Sequence, residues 1–388
     1  MLTPLDDSLS TPGARLSALL AVSELTAAQL SVGMLLAEAV PVERVLDGTY
    51  EPSVSELLGA ADVLEVPVAV LTGELPVSGH LGVSLRLGRI RGAEALSGPL
   101  AYANRLLDHG ALLDSWFGPA AAPLRESLSR VMLSRDKFGK AAGMVTADRV
   151  RAVLDLGDDG PITDMVAMVE SFGIPVASLP LPAGVHGLNV RDLRTGGAHR
   201  VILVSSTDVW AKQRYTLAHE LCHALYDDKD QVIVDRAEEP EALPEWRAES
   251  FARHLLLPTR SVREAVRRAP AGPRRWQQVT ASLMARFGVS RDATVIALQE
   301  DGGVPSVELD SVRSARVDDL LAAANLVDQW REFCVAEHAE SGSPTLVSRA
   351  AQAYGNGWVR ADLVADLMRG DIETVERELA AAGWQPSS

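Results

Sequence analysis

His219 and His223 stand four residues apart in the stretch TLAHELCHAL, with Glu220 directly after the first. On a helix, positions i and i+4 share a face, so both imidazoles can offer a ring nitrogen to one metal ion while Glu220 stays beside it. The surroundings are helical in period: Leu217, Leu221 and Leu225, with Ala218 and Cys222, recur at the spacing of a buried stripe. A catalytic zinc site needs a third protein ligand and keeps its fourth position for water. Glu245, on the next helical segment EWRAESFARHLLLP, is the best candidate for that ligand. Glu249, four residues further, is expected on the same face, where it could hold the outer ring nitrogen of a ligand histidine and fix its tautomer. Chance spacing would leave two partly buried histidines satisfied by hydrogen bonds. The apolar flanks and the carboxylate-bearing helix that follows favour zinc, one ion per chain. The chemistry implied is hydrolysis: zinc lowers the pKa of a water toward about 7 and polarises a carbonyl, and Glu220 takes the proton. An oxyanion donor is also needed, and Tyr215, Tyr226, His186 and His254 stay open as alternatives. Cys222 faces away from His219 and is expected to pack rather than ligate.

These residues need elements to hold them. ITDMVAMVESFGIPVASLPL reads as a helix, a stop at Gly173 and Pro175, and a strand; HRVILVSSTD reads as a second strand. The carboxylate helix is ended by Pro258. Beyond it, Arg260, Arg263, Arg267, Arg268, Arg274 and Arg275 form a basic run, read as a solvated helix face in preference to a surface for an acidic substrate or single-stranded nucleic acid. VTASLMARFGVSRDATVIAL then gives two helices around a turn. Residues 301–388 contain no strand-like run and close with three short helices, expected to be a regulatory or interaction module.

Length suggests about two to four domains. With 47% hydrophobic and 23% charged residues, the composition is that of a folded chain. The first residues are acidic where a secretory signal is basic, and no apolar run reaches about 18 residues, so a cytoplasmic protein with no membrane partner is expected. Cys222 and Cys334 are the only cysteines, too few for a disulfide framework or a cysteine-based structural zinc site. The 37 basic and 52 acidic side chains give a net charge of −15, which opposes non-specific attraction to nucleic acid.

Residues 13–75 read as short helices, with Thr26 as one N-cap and Ser53 with Glu56 in capping-box spacing at another. Leu25, Thr26, Leu30, Gly48, Pro52, Ser53 and Leu58 resemble the helix-turn-helix domain of XRE-type repressors. The segment in the position of the recognition helix, EAVPVERVLDG, departs from that pattern: it offers Glu38, Pro41, Glu43 and Asp47, with Arg44 its single cation. Such a surface repels phosphate, so DNA binding is disfavoured, and a scaffold for homodimerisation or partner contact is preferred.

The segment RYTLAHELCHALYDD followed by EWRAESFARHLLLP resembles the ImmA/IrrE metallopeptidases. Arg214, Thr216, Leu217, Ala218, His219, Glu220, Leu221 and His223 match the first half of that pattern, and Glu245, Ala248, Phe251, Ala252, Leu255, Leu256 and Pro258 the second. The resemblance implies zinc held by His219, His223 and Glu245, with Glu220 as base. It also implies a narrow protein substrate, typically a DNA-binding repressor whose cleavage switches on stress or mobile-element genes. The alternative is a helix-turn-helix regulator whose metal site is regulatory rather than proteolytic. The fold expected is α+β: a zincin-like core of a small sheet plus the histidine helix, flanked by all-helical amino- and carboxy-terminal regions. The boundaries are 1–75 for the XRE-like domain, 76–145 for a helical connector, 146–300 for the peptidase domain and 301–388 for the helical module.

Overall fold

A computed structural model of the chain describes residues 11–22, 26–36, 40–64, 68–72, 81–87, 96–120, 139–157, 159–192, 199–226, 242–336 and 340–384. The chain divides into two compact units, one of residues 1–82, 91–105 and 192–197, the other of residues 83–90, 106–191 and 198–388.

The first unit contains five short helices, α1 (Pro12–Val22), α2 (Ala27–Gly33), α3 (Val42–Leu46), α4 (Val54–Val63) and α5 (Val68–Thr72). The starts of α2 and α4 are set by side chains that satisfy otherwise orphaned amides. The Thr26 hydroxyl accepts from the Gln29 amide at 3.2 Å, and the Gln29 side chain accepts from the Thr26 amide at 2.9 Å. Ser53 and Glu56 make the same reciprocal pair at 3.3 and 2.7 Å. Leu16, Leu30, Met34, Val45, Leu57 and Leu71 form the core. Of the residues carrying the repressor resemblance, Leu30 and Pro52 are buried, Leu58 is exposed because Leu57 takes the core position, and Leu25 lies outside the described residues.

A four-stranded sheet organises the rest, with β1 (Leu81–Leu87), β2 (Val176–Leu179), β3 (Val185–Asp192) and β4 (Arg200–Ser205) in the order β1-β3-β4-β2. β2 runs parallel to β4 with Val176 opposite Ile202, and β3 runs antiparallel to β4 with Gly187 opposite Val204. Two strands here differ from the sequence expectation. β3 was not anticipated at all, and β1 falls inside residues 76–145, which were expected to be a helical connector. In β1 the apolar residues Leu81, Val83, Leu85 and Leu87 alternate with Gly82, Ser84 and Arg86, which is the period of a strand.

The helices that follow are α6 (Ser97–Phe117), α7 (Lys140–Val153), α8 (Met165–Glu170), α9 (Trp210–Tyr226), α10 (Ala242–Leu256), α11 (Thr259–Arg267), α12 (Arg275–Phe287), α13 (Arg291–Glu300), α14 (Asp310–Arg313), α15 (Val317–Ala323), α16 (Val327–Ala336), α17 (Pro344–Gly355), α18 (Ala361–Met368) and α19 (Ile372–Ala381). Val176, Ile202 and Val204 of the sheet, Leu217, Leu221 and Leu225 of α9, and Phe251, Ala252 and Leu255 of α10 share one core. Leu309, Val312, Leu320 and Leu321 belong to that same core. Trp330 also meets Trp210 edge to face, with ring centroids 4.5 Å apart. The expected boundary at residue 300 therefore falls inside the core, because the short helices after it bury their apolar faces against α12 and α13. The three terminal helices α17–α19 lie where the sequence placed them. No helix among the described residues is long and apolar enough to cross a membrane.

Candidate metal centre

α9 is buried over almost its whole circumference, so its polar side chains must be held by internal partners. Arg214, fully buried, donates to the carbonyls of Ile162 at 2.5 Å and Gly288 at 3.2 Å, tying α9 to the segment before α8 and to the end of α12. Gln213 donates to the Ser205 carbonyl at 2.9 Å, which fixes the start of α9 to the end of β4. His219, Glu220 and His223 follow one and two turns later, exposed by 1%, 1% and 3%.

α10 brings Glu245 to them. Its Oε2 lies 3.1 Å from Nε2 of His219 and its Oε1 3.1 Å from Nε2 of His223, and the two Nε2 atoms are 3.0 Å apart. Among the described residues, His219, His223 and Glu245 form the group able to hold a metal ion, with one ligand atom from each converging on a common point. Ligands about 2.0–2.1 Å from a tetrahedral zinc sit roughly 3.3 Å from one another, so these separations suit such an ion with little movement. Burial works against the charge of Glu245, yet its hydrogen bonds with both histidines hold the carboxyl well below the usual carboxylate range.

Glu249 is not brought into this group. Although it lies one turn along α10 from Glu245, its side chain is exposed and not turned toward the ligand histidines. Its backbone carbonyl instead accepts a hydrogen bond from the Tyr215 hydroxyl at 3.0 Å. Cys222 is fully buried in the core, away from the ligand group.

Each alternative oxyanion donor has a partner of its own. The Tyr226 hydroxyl is 2.7 Å from the Thr146 hydroxyl, and the Arg247 guanidinium lies over its ring at 3.8 Å. His254 is buried, 2.6 Å from the Ser250 carbonyl and 3.3 Å from Asp301. His186 sits between Asp208 at 2.8 Å and Lys212 at 2.9 Å. In the arginine run, Arg267 and Arg268 pair with Glu264, Arg275 with Glu308, and Arg263 donates to the Asp301 carbonyl.

Two residues of the site were absent from the sequence reading. Gly187 in β3 faces α9 so closely that a Cβ there would lie 2.4 Å from Cγ2 of Thr216 and 3.3 Å from Oε1 of Glu220. Asn189, two residues along on the same face, donates to the Glu220 backbone carbonyl at 3.3 Å. A glycine within an otherwise alternating segment is the sequence signal for such an approach.

The fold and site together define an α+β domain in which a sheet supports a His-Glu-x-x-His helix and a second helix adds a carboxylate. Residues 169–299 match the peptidase M78 family model, described as the IrrE N-terminal-like domain. The chain is similar to the radiation response metalloprotease IrrE of Deinococcus radiodurans, at 32% identity over 151 residues, covering 34% of this chain and 44% of that protein. It thus spans less than half the length of this relative. No solved structure matches the chain.

Proposed function

We propose that the chain is a zinc-dependent endopeptidase, with His219, His223 and Glu245 as metal ligands and Glu220 as the catalytic base. The observation that carries this reading is the convergence of two imidazoles and one carboxylate at 3.0–3.1 Å beside a buried Glu220. Mixed nitrogen and carboxylate donors suit zinc better than magnesium or calcium, which take oxygen ligands. A zinc ion so held supplies Lewis acidity to a water and to the scissile carbonyl. Glu220, adjacent to one ligand on the same helix, accepts the proton of the attacking water and returns it to the leaving amine. Gly187 leaves the space in which the Glu220 side chain lies, and Asn189 anchors the backbone beneath it.

The substrate in this reading is a DNA-binding repressor in the cytoplasm, cut so that stress or mobile-element genes are released. The radiation response named for the relative, and the resemblance of residues 13–75 to repressor domains, both support it. The test combines bound zinc, measured by mass spectrometry, with incubation alongside candidate repressor proteins from the same organism. Glu220→Gln is expected to keep about one zinc and lose cleavage by a factor of about 10² or more. His219→Ala is expected to lose the metal. Cleavage that survives Glu220→Gln would overturn the base assignment, and full zinc in His219→Ala would overturn the ligand assignment.

A further inference from the structure

One cavity of the second unit lies a helical turn from the metal centre and takes no part in holding it. It has a volume of about 480 Å³ and is lined by Lys212 and Tyr215 of α9, Trp246 and Glu249 of α10, and Ile296 of α13 among others. Two contacts fix its place. Glu245 meets His219 and His223, whereas the Glu249 carbonyl meets the Tyr215 hydroxyl, so on both helices the step from ligand to cavity is four residues, about 6 Å. Of the three ligands, the accessible one is the neighbour of Trp246: the Glu245 side chain is 30% exposed, against 1% and 3% for the histidines.

The charges in this cavity are paired, with one exception. Lys140 and Arg253 both donate to Glu300, at 3.2 and 2.7 Å. Lys212 lies 3.3 Å from Asp208, and Asp292 lies 2.8 Å from Arg291. Among the described residues, the Glu249 carboxylate is the one charged group of the cavity without an ion pair or hydrogen bond. Trp246 stands three residues before it, a surface neighbour on the same helix, and leaves its indole 48% exposed.

An open carboxylate beside an open indole suits one kind of guest. The carboxylate accepts the N–H donors of an ammonium or guanidinium group, and the ring face attracts the same cation while its edge packs the aliphatic stem. An acidic guest would be repelled, and an apolar one would strip water from Glu249 without replacing it. We infer that this cavity receives a lysine or arginine side chain of the substrate, one or two residues from the scissile bond, with Glu249 as its counterion and Trp246 as its wall. An extended chain advances about 3.4 Å per residue, so two residues cover the step from the metal centre to the cavity. That the guest belongs to a substrate rests on the peptidase reading. The cavity's preference for a cation does not.

The test therefore reads binding and cleavage separately, on the full chain. For binding, capped tripeptides acetyl-Ala-X-Ala-amide, with X arginine, its uncharged isostere citrulline, or leucine, are titrated by ligand-observed NMR. The arginine tripeptide is expected to bind at least about tenfold more tightly than the other two. Glu249→Gln should bring arginine to within about twofold of citrulline, and Trp246→Ala should weaken arginine by about threefold or more. Both side chains are exposed, so the melting temperature should stay level. The net charge of −15 attracts any cation, but Glu249→Gln leaves nearly all of that attraction in place. No binding of the arginine tripeptide, equal binding of all three, or an arginine preference that Glu249→Gln leaves intact would overturn the proposal. For cleavage, a proteome-derived peptide library made with a glutamate-specific protease keeps lysine and arginine internal, and new termini are read by mass spectrometry with Glu220→Gln as the blank. Basic residues should be enriched at least about fivefold at one position within two residues of the cut, and Glu249→Gln should remove the enrichment. Cuts without that enrichment would overturn the proposal. A chain that binds the arginine tripeptide through Glu249 yet cuts nothing would count against the peptidase reading and leave the cavity assignment standing.

Discussion

Around Glu220, the residue without a side chain matters as much as those with one. The absent Cβ of Gly187 leaves the room that Thr216 and Glu220 fill, since a methyl group there would lie 2.4 Å from Cγ2 of Thr216. Gly187→Ala is therefore expected to destabilise the fold by about 1–3 kcal/mol, the usual range for an overpacked interior. In the peptidase reading it should also reduce turnover more than zinc content, because Glu220 is displaced while the ligand histidines are not. Serine lacks the clashing Cγ2 methyl, so Thr216→Ser in the Gly187→Ala background should recover part of the melting temperature. A double variant no more stable than Gly187→Ala alone would show that the contact is not the cause. His219, Glu220 and His223 were legible because a chemical spacing coincided with a helical apolar stripe. Gly187 and Asn189 were not, because what they do depends on a strand and a helix meeting.

Between elements, polar side chains decide how helices of the core are locked. Asp301 closes the C-terminus of α13, where a carboxylate opposes the helix dipole. It is accommodated because α10 presents His254 at 3.3 Å and Arg253 at 3.8 Å, and the Arg263 side chain of α11 donates to its backbone carbonyl. Burial acts against the Asp301 charge, but the His254 hydrogen bond and the attraction of Arg253 and Arg263 prevail and hold its pKa below the ordinary value. A carboxylate whose folded pKa is depressed contributes stability above its unfolded pKa, near 3.9, and loses it as pH falls through the lower folded value. Asp301→Asn should thus cost about 1–3 kcal/mol near neutral pH, with the gap narrowing progressively below about pH 3.9. Urea unfolding of both proteins from pH 7 to pH 3 measures it, and a gap independent of pH would assign the loss to packing. The pairing of α10 with α13 could not be read from the sequence, because Arg253, His254 and Asp301 follow no shared period. The caps at Thr26 and Ser53 could be read, because their partners lie three residues away.

Across the second unit, the largest departure from the sequence reading is that residues 301–388 are not a separate module. Their first helices lie in the core, and the last three are fastened to the sheet by Glu170, a carboxylate only 8% exposed within the apolar run MVAMVESFG. Glu170 accepts from the Ser343 hydroxyl at 2.5 Å, the Thr345 amide at 3.0 Å and hydroxyl at 2.5 Å, and the Val176 amide at 3.1 Å. Beside it Ser341 and Ser178 exchange backbone hydrogen bonds of 2.9 Å, so the chain entering α17 bridges to the outer edge of β2. Ser343 is 173 residues from Glu170, and no local pattern reports such a partner. Two further contacts, Arg349 to Asp114 at 2.5 Å and His109 to Asp366 at 2.8 Å, hold the same helices to α6. Glu170→Ala removes one acceptor from four donors at once, and leaving buried donors unsatisfied costs about 1–3 kcal/mol each before the chain relaxes. The expected result is a loss of roughly 3 kcal/mol or more, faster amide exchange across residues 344–381 and, on the proposed zinc reading, unchanged metal content. If exchange across 344–381 were unaltered, the α6 contacts would be the anchor. If zinc were lost as well, the carboxy-terminal helices would be part of what holds the metal centre in shape.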